Sequence, residues 1–127
     1  MESTSRGGRG VAMRRKVLGN EYVDASLNAA DDFTKPLQDY LNENCWGATW
    51  LRPGLDLKSR SLITLTALAA GSKWSEFKTH TRGALRNGWT ADELREAFLH
   101  MGVYLGVPTA VEAFRVAQQI VAEAQSG

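Results

Sequence analysis

Thr90-Ala-Asp-Glu93 stands directly ahead of Leu94, Ala97, Phe98, Met101 and Leu105, and this stretch restricts the fold more than any other part of the chain. A threonine placed three residues before a glutamate satisfies two orphan amide donors at a helix start. The apolar residues that follow recur at the spacing of one helix face. Gly106 closes that helix and Pro108 opens the next, with Val111, Phe114, Ala117, Gln118 and Val121 as its expected stripe. No alternating apolar/polar run of useful length competes with this pattern, so the predicted class is all-α.

Upstream, the same logic predicts a helix over about 20–30. A second begins near Thr34 with Pro36 in its first turn, striped by Phe33, Leu37, Tyr40, Leu41 and Asn44 or Cys45, and stops before Ala48. Pro53 and Gly54 impose a turn, after which Asp56 is placed to cap a helix that ends at Gly71. That helix is apolar nearly all round from Leu62 to Ala70, so a covered, central position is expected. Ser72 is read as the cap of the following helix, which closes at Asn87-Gly88. The result is a single-domain bundle of about six helices over 14–127, preceded by a Gly-, Ser- and Arg-rich extension over 1–13 that is expected to be disordered.

The formal net charge of +1 conceals an asymmetry. Arg6, Arg9, Arg14, Arg15 and Lys16 against Glu2 give the first sixteen residues a local +4, which leaves −3 for the remainder. A mildly acidic body with one short basic arm is not the footprint of a nucleic-acid binder. Cys45 is the only cysteine, so neither an internal disulfide nor a C-x-x-C pair is available. No apolar run reaches the ~18 residues of a membrane span, and the opening lacks the hydrophobic stretch of a secretory signal. A cytoplasmic protein without membrane partners is expected.

Chemistry concentrates around the two histidines. At 100° per residue, Trp74, Phe77, Thr81, Ala84 and Leu85 share one side of their helix, and Lys78, Arg82 and Arg86 another. Glu76, His80, Gly83 and Asn87 run along the margin between them. Glu76 and His80 are one turn apart, where a carboxylate can orient the imidazole and favour its protonated form. A histidine tuned in this way can handle protons near neutral pH; the same spacing also describes a plain surface pair worth a few tenths of a kcal/mol. One His and one Glu do not make a metal site, and neither metal nor cofactor is expected.

Trp46, Trp50, Arg52 and Arg60 gather two large rings and two guanidinium groups about the Pro53-Gly54 turn. They suit a pocket for a small organic acid, or equally core packing by the tryptophans and ion pairing by the arginines. His100 and Tyr104 are again one turn apart, beside the apolar stripe and near the Gly106-Val-Pro108 corner.

In this order, VLGNEYVDA, CWGATWLRPGLDLKSRSLITLTALAA, SEFKTHTRGALRNGWTADELREAF and VYLGVPTAVEAFRVAQ resemble the carboxymuconolactone decarboxylase family over roughly 14–122. The resemblance implies an alkylhydroperoxidase-D-like helical fold assembled as a homo-oligomer, commonly a trimer or hexamer. Relatives that reduce peroxides carry Cys-x-x-Cys in the helix that holds His80 here. That helix has no cysteine, so thiol peroxidase chemistry is not expected. The implied activity is cofactor-independent loss of CO₂ from 4-carboxymuconolactone or a related unsaturated lactone or acid. An isomerase on the same scaffold and a non-catalytic oligomeric binding protein are the alternatives.

By the same resemblance, Arg52 and Arg60 are expected to receive carboxylates of a small anionic substrate. His80 would hydrogen-bond the lactone oxygen or protonate the dienolate, and Glu76 would hold His80. Trp46 and Trp50 would exclude water, and His100 and Tyr104 are further donors. One departure bears on substrate: decarboxylases of that pathway follow the G-V-P corner with A-A-N-H-A-F, whereas this chain has Thr109-Ala-Val-Glu-Ala-Phe114, with Val111 and Glu112 in place of Asn and His.

Overall fold

The computed structural model describes residues 5–126, which contain seven α-helices, one π-helical segment and no strand. The helices are α1 (Arg6–Leu18), α2 (Asn20–Asn28), α3 (Lys35–Tyr40), α4 (Leu57–Ala70), α5 (Trp74–Arg86), α6 (Ala91–Leu105) and α7 (Val107–Ser126). The π-helical segment, Leu41–Trp50, continues directly from α3. The all-α expectation holds. The described residues belong to two compact units, one through Leu57 and one from Lys58 onward.

In the first unit, α1 occupies most of the stretch expected to be disordered; residues 1–4 of that stretch lie outside the described residues. Ser5 caps it, its Oγ accepting from the Gly8 amide at 2.9 Å. Glycine, read in the sequence as a mark of disorder, is here what lets α1 approach the π-helical segment backbone to backbone. A Cβ on Gly10 would stand 1.8 Å from the Asn42 carbonyl oxygen, and one on Gly47 would stand 2.5 Å from that of Arg6.

The basic arm is therefore part of the fold. Arg6 donates to the Glu43 carbonyl and the Asn44 side chain, Arg15 pairs with Asp24 at 2.7 Å, and Arg14 is 4% exposed. This contact also decides which side of the next element is buried. Asn42, Trp46 and Trp50 face inward, while Phe33, Leu37 and Tyr40, the expected stripe, are exposed. Without α1 in view, the sequence could not say which side would be covered. With no proline between Pro36 and Pro53, helical winding also runs through Ala48, Thr49 and Trp50 rather than stopping ahead of them. Val17, Leu18, Val23, Trp46 and Trp50 form this unit's core.

The second unit is built on Leu65, Phe77, Leu94 and Phe98, each no more than 2% exposed and each contributing about 2 kcal/mol on burial. Phe98 stands edge-on to Phe114 at 5.7 Å and tilted against Phe77 at 5.5 Å, joining α5, α6 and α7. Thr90 and Glu93 form the expected capping box. Trp89 Nε1 donates to the Lys58 carbonyl at 2.7 Å, and Lys58 pairs with Glu93, which fastens the start of α4 to the start of α6.

Three details differ from expectation. Helix α4 buries Ser61, Leu65 and Ala69 but leaves Ile63, Ala67 and Ala70 exposed, so it is not covered all round. Helix α7 buries Ala113, Ala117 and Ile120, a stripe turned by about one residue from the expected one, because its inward side is fixed by packing on both α5 and α6. Ser72 lies at φ 57°, one residue ahead of the actual N-cap Lys73, and makes the tight turn between α4 and α5.

The Gly10 contact yields a test. Gly10→Ala would gain helix propensity of about 1 kcal/mol in isolation, yet must push a methyl group into the Asn42 backbone, a clash of about 1–3 kcal/mol or more. A net fall in Tm is expected by thermal denaturation, whereas Gly54→Ala, where nothing lies within 4 Å, should be close to neutral.

Candidate active site

Helix α5 presents the margin residues as its periodicity predicts. Phe77, Thr81 and Ala84 are fully withdrawn from solvent, and Thr81 satisfies its hydroxyl on the Phe77 carbonyl at 2.8 Å. Beside this face Glu76 is exposed, His80 is half-buried, Gly83 is buried and Asn87 is half-buried. Asn87 Nδ2 donates to the buried Ser61 hydroxyl at 2.8 Å, tying the end of this polar margin to α4.

The electrostatics of His80 run opposite to the sequence expectation. Burial pushes its pKa down to about 4, and the Glu76 charge, which pulls it upward, does not compensate. Glu76 is in water, where a charge four residues away is worth only tenths of a kcal/mol, whereas removing an imidazolium from water costs more. His80 is consequently a neutral imidazole at pH 7. In that state it is a hydrogen-bond donor at one nitrogen and an acceptor at the other.

Arg60 lies half-buried in the first turn of α4, and its carbonyl accepts from the Thr64 hydroxyl at 2.8 Å. Arg52 is exposed in the turn that follows the π-helical segment. Trp46 and Trp50 stack at 4.8 Å within the core of the first unit, and their packing role is the one this geometry supports. His100 and Tyr104 are exposed on α6 with ring centres 5.4 Å apart. Among the described residues no group of three or more His, Cys, Asp or Glu is gathered where it could hold a metal ion. Cys45 is a free, half-buried thiol, held above its ordinary pKa by burial and drawn down by Arg14.

Two adjoining cavities lie along α6 and α7, of about 480 and 560 Å³, sharing Phe114 and Gln118 in their walls. Leu99, Val107 and Val111 line the first; Phe98, Ala117 and Val121 line the second. A third, of about 540 Å³, is in the first unit.

Arg14 is the polar residue that sequence reasoning misplaced, counting it in a free basic arm. Its signal was present: Gly7, Gly10, Arg14 and Val17 follow one helix face once glycine is counted as a packing residue.

Comparison with known proteins bears on the chemistry. Residues 35–119 match the carboxymuconolactone decarboxylase family. The chain is 47% identical over 112 residues to the nitrosuccinic acid decarboxylase npaB of Metarhizium robertsii, covering 88% of this chain and 78% of the relative. It is 36% identical over 120 residues to the 4-carboxymuconolactone decarboxylase of Acinetobacter baylyi, covering 94% and 90%. On the extent of both matches and the helices that carry them, the chain belongs to the carboxymuconolactone decarboxylase family.

Proposed function

We propose that this chain, a carboxy-lyase of its family, releases CO₂ from a small dicarboxylic acid whose departing carboxylate can hand its electrons to a built-in acceptor. Nitrosuccinic acid is the first candidate substrate, because the relative acting on it shares more of this sequence. The second is 4-carboxymuconolactone, favoured by a match of lower identity that runs over nearly the whole chain. The chemistry is common to both. The C–C bond to the carboxylate breaks, its electron pair moves onto the nitro group or the conjugated lactone carbonyl, CO₂ departs, and the carbon is then protonated.

The observation that carries this reading is the state of His80. A half-buried, neutral imidazole is a poor acid for carbon but a good N–H donor to an oxygen on which charge is growing. His80 therefore stabilises the nitronate or dienolate oxygen, and the proton reaches carbon from solvent. Glu76 positions His80, and Arg60 receives the carboxylate that the substrate keeps.

A homo-oligomer belongs to the same proposal. Leu99, Val103, Tyr104, Val107 and Val111 are between 47% and 77% exposed about the α6–α7 corner, a larger bare apolar area than isolated exposed side chains would give. Val103→Glu combined with Val107→Glu should lower the mass measured by light scattering; an unchanged assembly would count against this surface.

Assaying CO₂ release from nitrosuccinic acid and 4-carboxymuconolactone in parallel tests the main reading. His80→Ala should lower kcat by about 10²-fold with helicity retained. Wild-type turnover by that variant, or no CO₂ from either acid, would overturn the assignment.

The depressed pKa gives an independent prediction. Unfolding returns His80 to about 6.5, so the unfolded chain binds its proton first, and this contribution to stability is present above pH 6.5 and lost as pH falls toward 4. By about pH 4.5 the loss amounts to roughly 2 kcal/mol. Urea denaturation at pH 7 and pH 4.5 should therefore show a smaller pH effect in His80→Asn than in wild type.

A further inference from the structure

The first unit buries a cation that no carboxylate among the described residues answers. Arg14 is 4% exposed, and its Nη1 donates to Gln38 Oε1 at 2.9 Å and Asn42 Oδ1 at 3.0 Å. Both acceptors are neutral amides. Its Nε is buried with no hydrogen-bond partner, and no carboxylate among the described residues pairs with the guanidinium. Guanidinium groups stay protonated in proteins, and an ion out of water without a counter-charge costs several kcal/mol.

A cavity of about 540 Å³ in this unit is walled by Asn42 itself, together with Arg15, Lys35, Asp39, Val11 and Leu27. Because Asn42 gives its oxygen to Arg14, its NH₂ end is turned away from the guanidinium and polarised by it. Arg15 and Lys35 are each held by an aspartate, Asp24 and Asp39, at 2.7 Å. The Lys35–Asp39 pair is solvent-exposed and the Arg15–Asp24 pair partly so; each is worth about 1 kcal/mol or less and can be exchanged for a ligand.

We propose that this cavity is a binding site for a small carboxylate, which Asn42, Lys35 and Arg15 contact from the wall while Arg14 behind Asn42 supplies the uncompensated positive charge. Val11 and Leu27 provide the apolar side that suits a short carbon chain rather than a bare inorganic ion. Asp39 opposes any anion, so occupancy requires Lys35 to turn from Asp39 toward the ligand. The proposal is independent of the decarboxylation chemistry, although its ligand class is shared with the acids proposed as substrates.

Succinate is the probe, titrated into the full-length protein in chloride-free buffer with the denaturation midpoint as readout. In wild type the midpoint should rise saturably with succinate and should not follow chloride or phosphate at equal ionic strength. Asn42→Asp gives Arg14 an internal counter-ion in nearly the same shape. It should raise the midpoint without ligand and abolish the succinate response. Lys35→Glu should weaken the apparent affinity at least tenfold, whereas Arg52→Ala should leave the response in place. An Asn42→Asp protein that still responds like wild type, a response lost with Arg52 instead, or an equal rise with chloride would each overturn the assignment.

Discussion

Phe77, Thr81 and Ala84 are completely removed from water, and that one buried face of α5 governs what its neighbours can do. The helix cannot rotate without exposing Phe77 and breaking its contact with Phe98 on α6. His80, one residue off the face, is thus held half inside. Its chemistry follows from the packing: burial outweighs the neighbouring glutamate, and the ring is a neutral donor rather than a stored proton. In the decarboxylation proposed above that distinction matters: the substrate would supply its own electron sink, and His80 a dipole aimed at the oxygen where charge appears.

The first unit obeys a different constraint, the absence of side chains where two backbones meet. Gly10 and Gly47 let α1 lie directly on the π-helical segment. That approach carries Arg14 inside and turns Trp46 and Trp50 into a stacked core pair. The tryptophans that looked like a pocket wall are thereby committed to packing, and the arginine that looked like part of a solvated arm becomes the buried charge of the unit. Both outcomes follow from a contact between segments some thirty residues apart.

What the sequence disclosed was local. The Thr90–Glu93 box, the stop at Asn87-Gly88, the start after Asp56 and the face of α5 all depend on residues within a turn or two of each other, and each appears where expected. What it withheld was partnership. Gly-rich composition reads the same in a loose tail as in a tightly packed helix. The Phe33–Leu37–Tyr40 stripe is as periodic as a buried one and is bare, because α1 covers the other side. The sign of the His80 shift was likewise invisible, since spacing reports Glu76 but not how much water the ring has lost. The margin of α5 could be read from the sequence; its dielectric could not.

The departure at Val111 and Glu112 can be placed in the same physical terms. Val111 is 47% exposed and lines the α6–α7 cavity with Leu99, Val107 and Phe114, while Glu112 is engaged by Arg115 on its own helix. An asparagine and a histidine at these positions would bring polar donors to that corner; here the cavity wall is mostly apolar, with Arg115 and Gln118 its polar members, and the acidic group is neutralised locally. The substitution therefore alters a surface that His80 does not line. The proposed decarboxylation asks for a neutral imidazole and an acceptor carried by the substrate, and neither requirement falls on the side chains of this corner.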